Sequence, residues 1–256
     1  MNIIDFNFEE STSLFEDTIN SLNLKPFELF EGILIIKWPN IVKFNSAAMG
    51  IRFLDEYSLV ISPYQTTDTY SILKQYCNVQ NKNDRIKFSI NFTDNILYYT
   101  NSALFGNGEG PQTEEISQDD LIIDYELGVG FLKDSKICLL CELLGEFKFG
   151  PIDASDYLKD FNEPNILKRF NATFEINIIK KYKSKKNSRP FNRGDYLALE
   201  TVLLTSKLPT FASDHNKFID LIKKIRFYQK EIRRFSANKN ALKVCEIIDQ
   251  YINKFF

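Results

Sequence analysis

A carboxylate and an ammonium lie two residues apart in Glu146-Phe147-Lys148, just beyond the apolar run Ile137-Cys138-Leu139-Leu140-Cys141. On an extended strand those two positions share a side while Phe147 points the other way. Hydrolysing a phosphodiester with a divalent cation requires oxygen ligands for the ion and positive charge near the phosphate. Asp124, which closes Leu121-Ile122-Ile123-Asp124, is the best second acid, and Glu126 the next. In such a site Mg2+ would bridge Asp124, Glu146 and the phosphate. Lys148 would orient water and stabilise the charge that builds on the phosphate.

The elements around this trio must bring both acids to one side. The spacing predicts two strands, Leu121 to Leu132 and Lys136 to Phe149, joined at 133–136. A two-residue turn at Asp134-Ser135 pairs position 124 with 145 and places Asp124 opposite Glu146. A three-residue loop pairs 124 with 144 and gives the acids a common face, as would a bulge at Gly145. An acid on one strand, Glu-x-Lys on the next and a helix afterwards resembles the PD-(D/E)xK nuclease superfamily over residues 124–160. The resemblance implies a Mg2+-dependent nuclease with a mixed central sheet flanked by helices. Asp124 and Glu146 would be its metal ligands and Lys148 its lysine. The competing reading makes Glu146 and Lys148 a solvated strand end.

The rest of the sequence offers little other chemistry. The 256 residues contain one histidine, His215, at a predicted helix start, which leaves Ser-His or Cys-His catalysis with no motif. Cys138 and Cys141 lie three apart within one apolar run, so a strand sends them to opposite faces and they read as buried free thiols. Gly106-Asn107-Gly108-Glu109-Gly110-Pro111 lacks the Gly-Lys-Ser/Thr ending of a phosphate-cradling loop and reads as a connector. Acids among the first residues argue against a secretory leader, and no apolar run is long enough to span a bilayer, so the expected location is cytoplasmic.

Charge is divided along the chain. Residues 1–160 hold 12 Lys/Arg against 25 Asp/Glu, and residues 161–256 hold 20 against 9, although the net charge is only -2. Lys223, Lys224, Arg226, Lys230, Arg233 and Arg234 alternate with an apolar stripe in a predicted C-terminal helix. They form a candidate nucleic-acid surface, or a basic face that docks on the acidic part of the chain or on a protein partner.

Apolar periodicity sets the remaining elements. A capping-box pattern at Ser13–Glu16 predicts a helix over 13–23. Strands are predicted at Leu29 to Lys37, Gly50 to Phe53, Ser58 to Ser62 and Asn171 to Tyr182, with a short helix from Thr67 to Tyr76. Ile86, Phe88, Ile90 and Phe92 alternate with polar residues, and Thr93-Asp94-Asn95 reads as a hairpin turn into a strand over 96–99. Further helices are predicted from Asp153 to Asp160, from Gly194 to Ser206 and in a C-terminal helical hairpin. The fold class is α+β: a mixed or mainly antiparallel central sheet with flanking helices. Residues 1–256 read as one large domain, with a two-lobe division possible near 100–120 between an N-terminal α+β lobe and a strand-rich middle with a basic helical C-terminus.

Three functions fit this reading. The most concrete is Mg2+-dependent cleavage of DNA or RNA. The second is a non-catalytic protein-interaction role, as in an inhibitor, adaptor or immunity-type factor, and the third is nucleic-acid binding without cleavage. Only the first makes the chain an enzyme and requires a cofactor.

Overall fold

Strand periodicity recurs along this chain because six of its strands close on one another. The computed structural model describes residues 8–10, 29–55, 57–77, 85–105, 115–146, 173–184, 193–235 and 239–256. Its strands are β1 (Phe8–Glu10), β2 (Leu29–Lys37), β3 (Phe44–Phe53), β4 (Ser58–Ile61), β5 (Lys87–Thr93), β6 (Leu121–Asp124), β7 (Val129–Leu132), β8 (Ser135–Glu146) and β9 (Phe174–Ser184). The helices are α1 (Asp68–Tyr76), α2 (Ile96–Leu104), α3 (Arg193–Thr205), α4 (Leu208–Phe211), α5 (His215–Phe235) and α6 (Lys239–Ile252).

The order β9-β4-β3-β2-β5-β8 is antiparallel throughout, and β8 pairs back onto β9. This makes a six-stranded barrel and satisfies backbone groups that an open sheet would leave at its edges. β1 adds to β9 beyond the point where β4 stops. A bulge interrupts β8 between Leu143 and Gly145, where Gly145 has φ +151°, a conformation that side chains disfavour.

Alternation fills the barrel. Leu34, Ile36, Ile51, Leu59, Ile61, Phe88, Ile90, Leu139, Cys141, Phe174 and Ile176 form a buried cluster with Ile72 and Leu73 of α1. That helix starts at Thr67, whose Oγ1 accepts from the Tyr70 N–H, and carries Asp68 in its first turn and Lys74 in its last. Two further layers cover the outside. Ile33 and Ile35 of β2 pack in a cluster with residues of α2, α3, α5 and α6, while Ile122, Val129 and Phe131 of β6 and β7 bury Cys138, Leu140 and Tyr182. Strands buried on both faces lose the period-two signal, hence the unbroken apolar stretches in β2 and β8.

The structure confirms the α+β class and, of the two sheet types expected, the antiparallel one; the sheet further closes into a barrel, which the sequence reading did not foresee. Two local predictions fail. Residues 96–99 belong to α2, because Asn95 caps a helix by accepting from the Leu97 N–H instead of turning a hairpin. Leu121 to Leu132 is a hairpin in itself, with Asp124 paired to Val129 and Gly128 at φ +67° in the turn. The predicted helices over 13–23 and 153–160 lie outside the described residues, as do 106–114 of the predicted connector.

Candidate functional site

The β6–β7 hairpin decides where the predicted metal ligands go. β8 pairs with β5 and β9, so Asp124 and Glu146 do not sit on neighbouring strands. Asp124 Oδ1 accepts from the backbone N–H groups of Glu126 (3.1 Å) and Leu127 (3.0 Å), fixing the hairpin turn. Glu146 pairs with Phe174 at the far end of β8, and its carboxylate takes an ion pair from Lys74. The hairpin that carries Asp124 packs through Ile122, Val129 and Phe131 on Cys138, Leu140 and Tyr182, near the start of β8. Tyr182 pairs with Cys138, and the strand from Cys138 to Glu146 is on the order of 25 Å long. Lys148 lies outside the described residues. No group of three or more His, Cys, Asp or Glu able to hold a metal occurs among the described residues.

The basic residues of α5 are on its surface, and several are engaged. Arg226 and Arg233 both reach Asp249 of α6, Lys223 pairs with Asp220, and Lys224 lies over the Tyr228 ring. Arg234 stands 3.9 Å from Glu231, while Lys230 is exposed. The Arg226–Asp249 contact and the buried Gln229, whose Nε2 donates to the Cys245 carbonyl (3.0 Å), tie α5 to α6.

One outer face of the barrel is different from the rest. Among the described residues, no helix packs broadly over β4 and the start of β9. Since Cys141, Ile176, Leu59 and Ile51 point inward, their neighbours Glu142, Asn177, Ser58, Val60 and Arg52 point outward. Lys87 pairs with Glu142 and shares its face. Asn177 donates to Glu142 Oε1 (2.9 Å), and Arg85 Nη1 lies 3.6 Å from the same oxygen. Arg85 Nε is shut off from solvent and has no hydrogen-bond partner among the described residues. A guanidinium, an ammonium and a primary amide thus stand together on one face, donors suited to an anionic ligand with a polar ring edge.

A groove of about 650 Å³ opens between β2 and α3, lined by Glu31, Tyr196, Leu197, Leu199, Glu200 and Leu203. Its two carboxylates make it the wrong place for a phosphate. Of the residues on the outer face and in the groove, the sequence draws notice only to Glu200, as a carboxylate pair with Asp195 that five-residue spacing on a helix aligns poorly. A lone Arg-Ile-Lys at a strand start and a Glu within an apolar strand carry no motif.

No family model matches this sequence, and a search of curated proteins found no match either. Solved structures do match in fold. An FMN-bound protein from Methanosarcina mazei superposes with a TM-score of 0.55 at 12% identity, over 91% of this chain and 98% of that one. The FMN-binding domain of a flavin reductase-like enzyme from Shewanella baltica is more distant, with a TM-score of 0.39 at 11% identity over 70% of this chain and 78% of that one. The first likeness takes in the barrel and the helices together, and it overturns the PD-(D/E)xK expectation. The fold is shared with an FMN-bound protein, so the nuclease, Mg2+ and purely protein-interacting readings are withdrawn.

Proposed function

We propose that this protein binds a flavin mononucleotide on the outer face of its barrel and works as a flavin-dependent redox protein. The observation that carries this reading is the near full-length fold likeness to the FMN-bound Methanosarcina protein. The donor chemistry of the outer face supports it. The guanidinium of Arg85 and the ammonium of Lys87 would hold the phosphate. Asn177 offers an amide to the polar edge of the ring, and the exposed Ile179, two residues on in β9, offers apolar surface. Glu142, already engaged by Arg85 and Asn177, keeps the guanidinium in place. A bound flavin supplies hydride and single-electron transfer; the protein's part is to hold and orient it and to set its surroundings.

The test is a fluorescence titration of the purified chain with FMN and with riboflavin, which lacks the phosphate. FMN should bind with quenching and more tightly than riboflavin. Arg85→Ala should cost FMN roughly tenfold to a hundredfold in affinity, the worth of a charge-assisted hydrogen bond, while leaving riboflavin nearly unchanged. Equal affinity for the two ligands, or an Arg85→Ala variant that binds FMN normally, would remove the proposed phosphate site.

A further inference from the structure

The groove between β2 and α3 holds two carboxylates with no ion-pair or hydrogen-bond partner among the described residues. Glu31 points outward from β2, across from Gly50 of β3, and its Oε2 is shut off from solvent with no hydrogen bond. Glu200 lines the same groove from α3, and no described residue forms an ion pair or hydrogen bond with its side chain. Burial first, then the charge of Glu200, raise the Glu31 carboxyl above its ordinary range, and Lys207 only partly offsets this. A buried acceptor left unmet is costly, and native proteins keep few of them, so a donor brought into the groove would find this carboxylate unmet by any described residue.

The lining decides what kind of donor. A hard divalent cation could take the two carboxylates and complete its shell with water, but it would make no use of the leucines that line the rest of the groove. An anion would be repelled by both acids. What fits is an ammonium, which brings several donors and a positive charge, attached to an apolar body that can lie on Leu197, Leu199 and Leu203 and against the Tyr196 ring. The volume, about 650 Å³, is in the range of small-molecule sites. We infer that this groove binds a small primary amine with an apolar or aromatic body, its ammonium held between Glu31 and Glu200. The site is separate from Arg85 and Lys87, and the inference does not depend on flavin binding.

Isothermal calorimetry on the full chain, with phenethylamine as the probe and 2-phenylethanol as its neutral counterpart, tests this directly. Phenethylamine should bind roughly tenfold or more tightly than the alcohol. Glu31→Gln and Glu200→Gln should each erase most of that difference, with little effect on the alcohol and none on FMN affinity. Glu200 is exposed, so its variant serves as the test if Glu31→Gln fails to fold. Absence of phenethylamine binding, equal binding of amine and alcohol, or a preference that survives both substitutions would overturn the inference.

Discussion

Replacing Glu115 with Gln should make the protein's stability far less sensitive to pH. Glu115 is buried, and its Oε2 accepts from Ser46 N (2.6 Å) and Ser46 Oγ (3.0 Å), while Ser102 Oγ donates to Ser46 Oγ (2.9 Å). Burial pushes its carboxyl from 4.5 up to about 7, more than the Ser46 hydrogen bonds pull it down, and Asp68 adds to the rise. The protonated form is therefore favoured in the folded chain. Its contribution to stability is complete below 4.5 and is lost as the pH climbs through about 7. Between pH 5 and pH 8 this loss amounts to about 2.5 kcal/mol, because a tenfold change in proton affinity is worth about 1.4 kcal/mol. Glutamine keeps an oxygen for the Ser46 N–H and does not titrate. Urea unfolding of both proteins at half-unit pH steps should show the variant gaining on the native chain by about that amount from pH 5 to pH 8. Parallel profiles, or a gap that moves the other way, would refute the assignment of this carboxyl as a destabilised buried acid.

Four further outcomes follow from the packing. In Gly32→Ala the new Cβ would run into Ile51 Cδ1 inside the barrel, and thermal unfolding should register a loss of about 1–3 kcal/mol. Gln229→Leu removes the hydrogen bonds that Gln229 Nε2 donates from α5 to the Cys245 carbonyl and Asp249 of α6, which should cost about 1–2 kcal/mol in urea unfolding. Burial pushes the Cys138 thiol up to about 12 and raises Cys141 as well, so in the native protein a thiol reagent should modify the half-buried Cys77 first and reach those two only on unfolding. Glu146→Ala removes a surface ion pair with Lys74 and should change stability by about 1 kcal/mol or less, with no Mg2+-dependent difference in a melting curve.

Much of the fold could be read because one buried face imposes period two. β2 begins and ends where the apolar run does, and Phe88 and Ile90 of β5 and Phe174, Ile176 and Ile178 of β9 point inward as their alternation requires. Cys138 and Cys141 fall in different apolar clusters, as three-residue spacing on a strand demands. α5 and α6 were legible from their helical stripes. Barrel closure was not, since the β8–β9 pairing joins residues about forty apart and depends on register rather than composition. The Asp124–Glu146 site failed for a related reason. Tyr125-Glu126-Leu127-Gly128 makes its own turn inside what reads as one strand, and the hairpin turns away from β8 pairing. Arg85 escaped notice because its significance lies in the donors that stand beside it on one face, a property of surroundings and not of sequence.

The central claim is that this barrel carries a flavin, and equilibrium dialysis of the purified chain against FMN measures that most directly. The account predicts retention of one FMN per chain, displaceable by excess unlabelled FMN and weakened in Arg85→Ala. A folded chain that retains no FMN at concentrations well above those at which flavoproteins saturate would contradict it.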